Sequence, residues 1–332
     1  MTEHPIVPTT TTTLRILQLN LGKSKWAQYE LINRDTLNDE FDIILVQEPW
    51  VSEFDHSPAP SSFSPVVPET RRDESKGLLR SITWVNNKLA TSDWEQLSQI
   101  GSNDISAVKI KTNGQQISIF NIYNDCKNDN TLTTLDNYLK NNKQKLLNGK
   151  SDHVIWAGDF NRHHPLWDDE TETRLFTDKA IEDANRLIEL IEEWDMELVL
   201  PKEEGPTLRH RCHKTYSRPD QVMCTSNTTS MIDNCCVHPE DKPVNTDHFP
   251  IKFTINLGEE LIHATEKMSY NFRATDWEKY NETLKTHLSV HDLSQEPNSA
   301  EELEAMAIKL TTAIQSTTAT SAKHNKPRPN AK

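Results

Sequence analysis

Glycine is scarce in this sequence, 8 residues in 332, and neither a glycine-rich phosphate loop nor an internal repeat is present. Functions that rest on a glycine-built phosphate cradle are thereby excluded. Cysteine is scarce too: Cys126, Cys212, Cys224, Cys235 and Cys236 are odd in number, and no pair has Cys-x-x-Cys spacing. A disulfide framework is excluded, and a zinc site drawn from Cys212, Cys235 and Cys236 with His210, His213 and His238 loses to ordinary strand and loop positions. No apolar run approaches the roughly 20 residues that cross a bilayer. Met1 to Thr13 holds no basic-then-apolar signal, only a Thr-rich polar lead, so the expectation is an intracellular protein with reduced thiols and an unstructured start.

What is present fits a folded chain: 35% hydrophobic and 26% charged residues, enough to build a core under a polar surface. The net charge of −14 argues against wholesale wrapping of nucleic acid. The excess is local, however. Trp167 to Glu204 carries fourteen acidic and four basic residues, whereas Thr207 to Arg218 carries Arg209, Arg211, Lys214 and Arg218 with no acid. The second stretch is a basic strip.

Short β-type runs are expected at Leu14–Asn20, Asp42–Glu48, Ile105–Lys111, Gln116–Tyr123, His153–Asn161, Met231–Val237 and Ile251–Asn256. Between them lie helical patterns at Trp26–Leu37, capped by Ser24, at about Leu132–Leu147, and after a Thr177 cap, where apolar residues follow a 3.6-residue period through Trp194. The alternation predicts an α/β fold with mixed sheets. Residues 266 to 323 read as helical, and Lys323 to Lys332 as a polar tail. The domain plan is a lead at 1–13, one α/β domain at 14–257, and a helical linker and tail at 258–332.

Several strands end on a polar residue: Asn20, Glu48, Tyr123 and Asp159. In α/β folds ligands collect at such ends. Glu48, before Pro49, is either a capped edge residue or a metal ligand. In Gly158-Asp159-Phe160-Asn161, residues two apart would project together from one strand face, joining a carboxylate to an amide that can hold a water or a phosphate. The alternative is a strand-to-turn junction. Thr246-Asp247-His248-Phe249-Pro250 pairs an acid with an imidazole that a carboxylate such as Asp220 could hold against a phosphate oxygen.

In chain order, Gln18-Leu19-Asn20-Leu21-Gly22, Gln47-Glu48-Pro49-Trp50, Asn121-Ile122-Tyr123, Gly158 through Trp167, Ser217-Arg218-Pro219-Asp220-Gln221-Val222 and Thr246 through Ile251 resemble the endonuclease/exonuclease/phosphatase superfamily. The match is nearest to the endonuclease domain of non-LTR retrotransposons. The resemblance implies a four-layer α/β sandwich of two mixed sheets flanked by helices, with the site at one end. It implies Mg²⁺, or Mn²⁺, held by Glu48 with Asn20, and Asp247 completing the metal or water network. Asp159 would activate water, Asn161 would position the phosphate, Tyr123 would donate to it, and His248, oriented by Asp220, would stabilise developing charge. The implied product is a DNA nick with a 3′-hydroxyl that primes reverse transcription, in a nuclear setting.

Two departures matter. Gly22 stands where repair enzymes often carry an acid, which argues against abasic-site repair, and no Asn follows Tyr123 at the spacing of many relatives. His163 and His164 read as structural or DNA-edge residues. The basic strip falls where retrotransposon endonucleases carry a DNA-pressing hairpin, so Arg209, Arg211 and Lys214 are expected to contact DNA. No reverse-transcriptase signature follows, which predicts a truncated or domesticated module whose partner would be a reverse-transcriptase-bearing protein. A phosphoesterase acting on RNA or small phosphorylated substrates, and a catalytically silent nucleic-acid-binding derivative, stay open as alternatives.

Overall fold

In the first strand, β1 (Thr10–Asn20), Leu14 and Ile16 project to one side, Leu17 and Leu19 to the other, and all four are buried. A strand buried on both faces requires a layer on each side. The computed structural model describes residues 10–112, 114–210, 214–262, 275–290, 297 and 299–322, and it supplies both layers.

Two six-stranded mixed sheets face each other. In the first, β1 pairs in parallel with β2 (Ile43–Gln47) and antiparallel with β14 (Ile251–Ile262). The strands β4 (Ser81–Asn86) and β3 (Phe63–Val66) extend one edge, and β13 (Ile232–Val237) closes the other. The second sheet runs β5 (Trp94–Gln96), β6 (Ile105–Lys111), β7 (Gln116–Tyr123), β8 (Asp152–Asp159), β12 (Asp220–Thr225) and β9 (Met196–Leu198). There β7 and β8 are parallel and the other pairs antiparallel. A separate hairpin joins β10 (Leu208–Arg209) to β11 (Tyr216–Ser217).

The core between the sheets holds Ile16, Leu45, Ile119, Ala157 and Val222, among others. Outside the first sheet pack α1 (Lys25–Ile32) and α2 (Leu37–Glu40), through Ala27, Leu31 and Leu37. Outside the second pack α3 (Asn130–Leu146) and α4 (Asp178–Glu193), through Leu135, Leu139, Leu187 and Leu190. Helix, sheet, sheet, helix is the four-layer sandwich that the family resemblance implies. Ser24 and Thr177 accept hydrogen bonds from Ala27 and Ala180 as the expected N-caps.

The elements differ from expectation where distant pairing decides. Thr10 and Thr11, assigned to an unstructured lead, pair with Ile262 and Leu261, so β1 starts earlier and β14 runs beyond residue 257. The single helix expected over Trp26–Leu37 is two, because Asn33 turns the chain after Ile32. The strand expected to reach Asn161 ends at Asp159. The chain divides into two compact units, Met1–Thr265 and Glu266–Lys332. The second contains α5 (Trp277–Ser289) and α6 (Ala300–Ser321), which pack together, with Tyr280 and Thr318 hydroxyls 3.0 Å apart. Among the described residues no helix is long and apolar enough to cross a membrane.

Candidate active site at the polar end of the sheet interface

Strand periodicity builds the site. On the faces that meet between the sheets, Ile16 is followed by Gln18 and Asn20, Leu45 by Gln47, Ile119 by Asn121 and Tyr123, and Ala157 by Asp159. In the antiparallel β12 the order reverses, so Asp220 precedes Val222 and lies opposite Asp159 in register. One end of an apolar interface thus becomes polar, with Gln18, Asn20, Gln47, Asn121, Asp159 and Asp220 all buried.

Asp159 is the junction. Its Oδ2 accepts from Asn20 Nδ2 at 2.8 Å and lies 3.9 Å from His248 Nε2. Its Oδ1 accepts the backbone N–H of Asn161 at 3.0 Å. On the far side of the imidazole, His248 Nδ1 pairs with Asp220 Oδ2 at 2.8 Å. Asp159, Asp220 and His248 offer ligand atoms all within 4.8 Å of one another, and all three are buried. Burial, then the neighbouring charge of Asp220, pushes the Asp159 carboxyl up to about 7 against the opposing pull of His248 and Asn20. Burial alone would lower His248, but the charge and hydrogen bond of Asp220, with Asp159 and Asp247, raise it to about 9. The imidazole is therefore a cation between carboxylates at neutral pH.

Backbone constraints hold this arrangement. Gly158 sits at φ +148°, and a Cβ there would meet the Ile122 carbonyl oxygen at 1.9 Å, so only glycine lets β8 approach β7 closely enough. Glu48 and Asn161 both adopt left-handed backbone, with φ of 44° and 50°. Asn161 is consequently not on the pleat face with Asp159 as the sequence predicts. It lies in irregular backbone two residues past the end of β8, and its Nδ2 donates to the Asn124 carbonyl at 2.9 Å.

Glu48, just past β2, pairs with Lys23 Nζ at 2.9 Å and is partly exposed. The Tyr123 hydroxyl is raised by burial and then by the charges of Glu48 and Asp159, which sets all three at this end of the interface. Its ring lies under the Arg80 guanidinium, 4.7 Å from the centroid. Asp247 is partly exposed, and its carbonyl accepts from the Arg209 N–H. Asp159, Asp220 and His248 have their ligand atoms together, while the Glu48 carboxylate is paired with Lys23 and the Asn20 amide oxygen accepts the Gly22 N–H; oxygen donors of this kind suit a hard divalent cation.

The basic strip is the β10–β11 hairpin. Leu208 bridges to His248, and the Phe249 N–H donates to Thr207 O at 2.7 Å, so the hairpin is rooted at the site. The Arg209 guanidinium lies 5.8 Å from the Tyr216 ring centroid, and Lys214 has φ +52°. Arg211 and its neighbours Cys212 and His213 lie outside the described residues. Arg218, counted in the strip, instead turns inward and donates to the carbonyls of Leu200, Pro201, Lys202 and Gly205.

Other residues escaped the sequence reading. Buried Asp168 accepts from the N–H groups of His164 and Arg218, tying the histidine loop to the loop before Asp220. Asn124 donates through its backbone to Asp159 O and through Nδ2 to Phe160 O. Thr207 Oγ1 accepts from the Asp220 N–H. His163 pairs with Asp168, and the His164 ring packs at a tilt against Trp167, which fits their structural reading.

Residues 117–252, the segment carrying Tyr123, Asp159, Asp220 and His248, match the family described as Endonuclease-reverse transcriptase. Among solved structures, the endonuclease domain of TRAS1, a telomere-specific non-LTR retrotransposon, is similar at TM-score 0.56 and 21% identity, covering 74% of this chain and 100% of that one. The AP endonuclease LMAP from Leishmania major is similar at TM-score 0.59 and 15% identity, covering 76% and 92%. A 3′-5′ exonuclease from Neisseria meningitidis is similar at TM-score 0.52 and 11% identity, covering 73% and 100%. No curated protein matches the chain. The chain thus shares its fold with these nucleases, and its segment 117–252, which holds most of the site, is similar to the endonuclease-reverse transcriptase family.

Proposed function

We propose that the chain is a divalent-metal-dependent endonuclease that hydrolyses a DNA phosphodiester and leaves a nick with a 3′-hydroxyl, the chemistry that primes reverse transcription at a target site. The observation that carries this reading is the buried Asp159–His248–Asp220 cluster, a base near neutrality facing an imidazolium held by a second carboxylate. The similarity to a retrotransposon endonuclease and to an AP endonuclease supports DNA as the substrate.

Glu48 and Asn20, with Asp247 nearby, are the residues that would hold Mg²⁺, or Mn²⁺, which supplies charge neutralisation at the phosphate and the departing oxygen. Asp159 removes a proton from the attacking water, and its position near neutrality suits that task. His248 presents Nε2 to the phosphate oxygens as a cation, with Asp220 fixing the ring. Tyr123, kept protonated by burial, donates a hydrogen bond from its hydroxyl to a phosphate oxygen. Asn161 holds the backbone after Asp159 and sets the phosphate position. Arg209, Arg211 and Lys214 contact the DNA backbone or minor groove.

Supercoiled plasmid incubated with the purified chain and Mg²⁺ should become nicked circles whose ends a DNA polymerase extends without prior phosphatase treatment, and EDTA should abolish nicking. Nicks that a polymerase extends only after phosphatase treatment, or no nicking by folded protein, would overturn the reading.

A further inference from the structure

The interface behind the cluster is polar where apolar packing would be expected, and its hydrogen bonds have one direction. We infer that Gln18, Gln47 and Asn121 form an oriented amide relay that fixes Asp220, and through it the orientation of the His248 ring, with Nδ1–H held toward Asp220. The inference rests on the proposed phosphodiesterase reading and makes these three positioning residues of that centre.

The direction starts from backbone. Asn121 Nδ2 lies 3.1 Å from the Val46 carbonyl and 2.9 Å from the Ile82 carbonyl, and carbonyl oxygens only accept. The amide cannot be turned over, so Asn121 Oδ1 is the acceptor and Gln47 Nε2 donates to it at 2.5 Å. Gln47 must then present Oε1 to its other neighbour, where Gln18 Nε2 donates at 2.6 Å. The remaining Gln18 proton reaches Asp220 Oδ1 at 3.0 Å. Asp220 thus meets a donor by geometric necessity, because the reversed Gln18 would set an oxygen against the carboxylate. Its Oδ2 stays free to accept from His248 Nδ1, which leaves Nε2 toward Asp159.

Gln18, Gln47, Asn121 and Asp220 are each fully buried, and the chain of bonds links β1 and β2 of one sheet to β7 and β12 of the other. Gln18 Oε1 has no hydrogen-bond partner. An unpartnered buried oxygen is a cost that hydrophobic residues of similar volume would avoid, so stability alone does not account for the relay.

Gln18→Met and Gln47→Met keep volume and remove the amides. In the folded variants we expect kcat for plasmid nicking to fall about 10–100-fold with KM unchanged. In metal-free protein, the hydrogen-bonded Nδ1 proton resonance of His248 should be present in the wild type and lost in Gln18→Met. In an Asp220→Asn background, Gln18→Met should add no further loss. Wild-type kcat with an unchanged Nδ1 resonance, or an additive loss in that background, would overturn the relay. Should Gln18→Met fail to fold, Gln47→Met carries the same readouts from one step further away. An inactive wild type that shows the Nδ1 proton, lost in Gln18→Met, upholds the relay and overturns the nuclease reading.

Discussion

Asp159 is both buried and charged in its working form, and its neighbours settle the conflict. Without Asn20 and His248 it would be held protonated by burial and Asp220; with them it titrates at about 7. The nicking rate should therefore rise with pH as Asp159 ionises and fall again through about 9 as the His248 imidazolium loses its proton. A pH–rate profile flat from pH 5 to 10 in single-turnover nicking would contradict these roles. A second residue-scale prediction concerns Gly158. Because its Cβ position overlaps backbone and not a movable side chain, Gly158→Ala should cost more than the ~1–3 kcal/mol of ordinary overpacking. The urea midpoint would report it, and a midpoint equal to wild type would refute the packing argument.

At the scale of elements, the strands with one polar end were legible in sequence because alternation places Asn20, Tyr123 and Asp159 on the faces that carry Ile16, Ile119 and Ala157. β12 was not legible. All six of its residues are buried, so Asp-Gln-Val-Met-Cys-Thr shows no alternation, although it delivers Asp220. Asn161 was misplaced for a related reason: period 2 holds only while the strand lasts, and β8 stops at Asp159. The amide relay was invisible because Gln18 and Asp220 are 202 residues apart in sequence. The hairpin was legible as charge but not as geometry. Its root is stitched to His248 and Asp247, so a DNA strand held by Arg209 and Lys214 would lie beside the cluster. Replacing Arg209, Arg211 and Lys214 by Ala should weaken DNA binding and reduce the slope of log affinity against log salt by ~0.9 for each phosphate that is no longer neutralised. Titrations at several salt concentrations check this, and an unchanged slope would sink the assignment of these side chains to the DNA backbone.

At the scale of the molecule, the net charge of −14 and a DNA substrate are compatible because the charges are segregated. α4 carries much of the acid on a face away from the core, while the basic hairpin is rooted at the polar end of the sheet interface. The four-layer sandwich serves that end: two apolar strand faces bury each other, and the same strands run on into Asn20, Tyr123 and Asp159. The central claim is that this end is a phosphodiesterase centre built on Asp159 and His248. The most direct test is single-turnover relaxation of supercoiled plasmid with Mg²⁺ by wild type, Asp159→Ala and His248→Ala, each shown to be folded. Both variants should be slower by about 10²–10⁴-fold, whereas relaxation at the wild-type rate by either would contradict it.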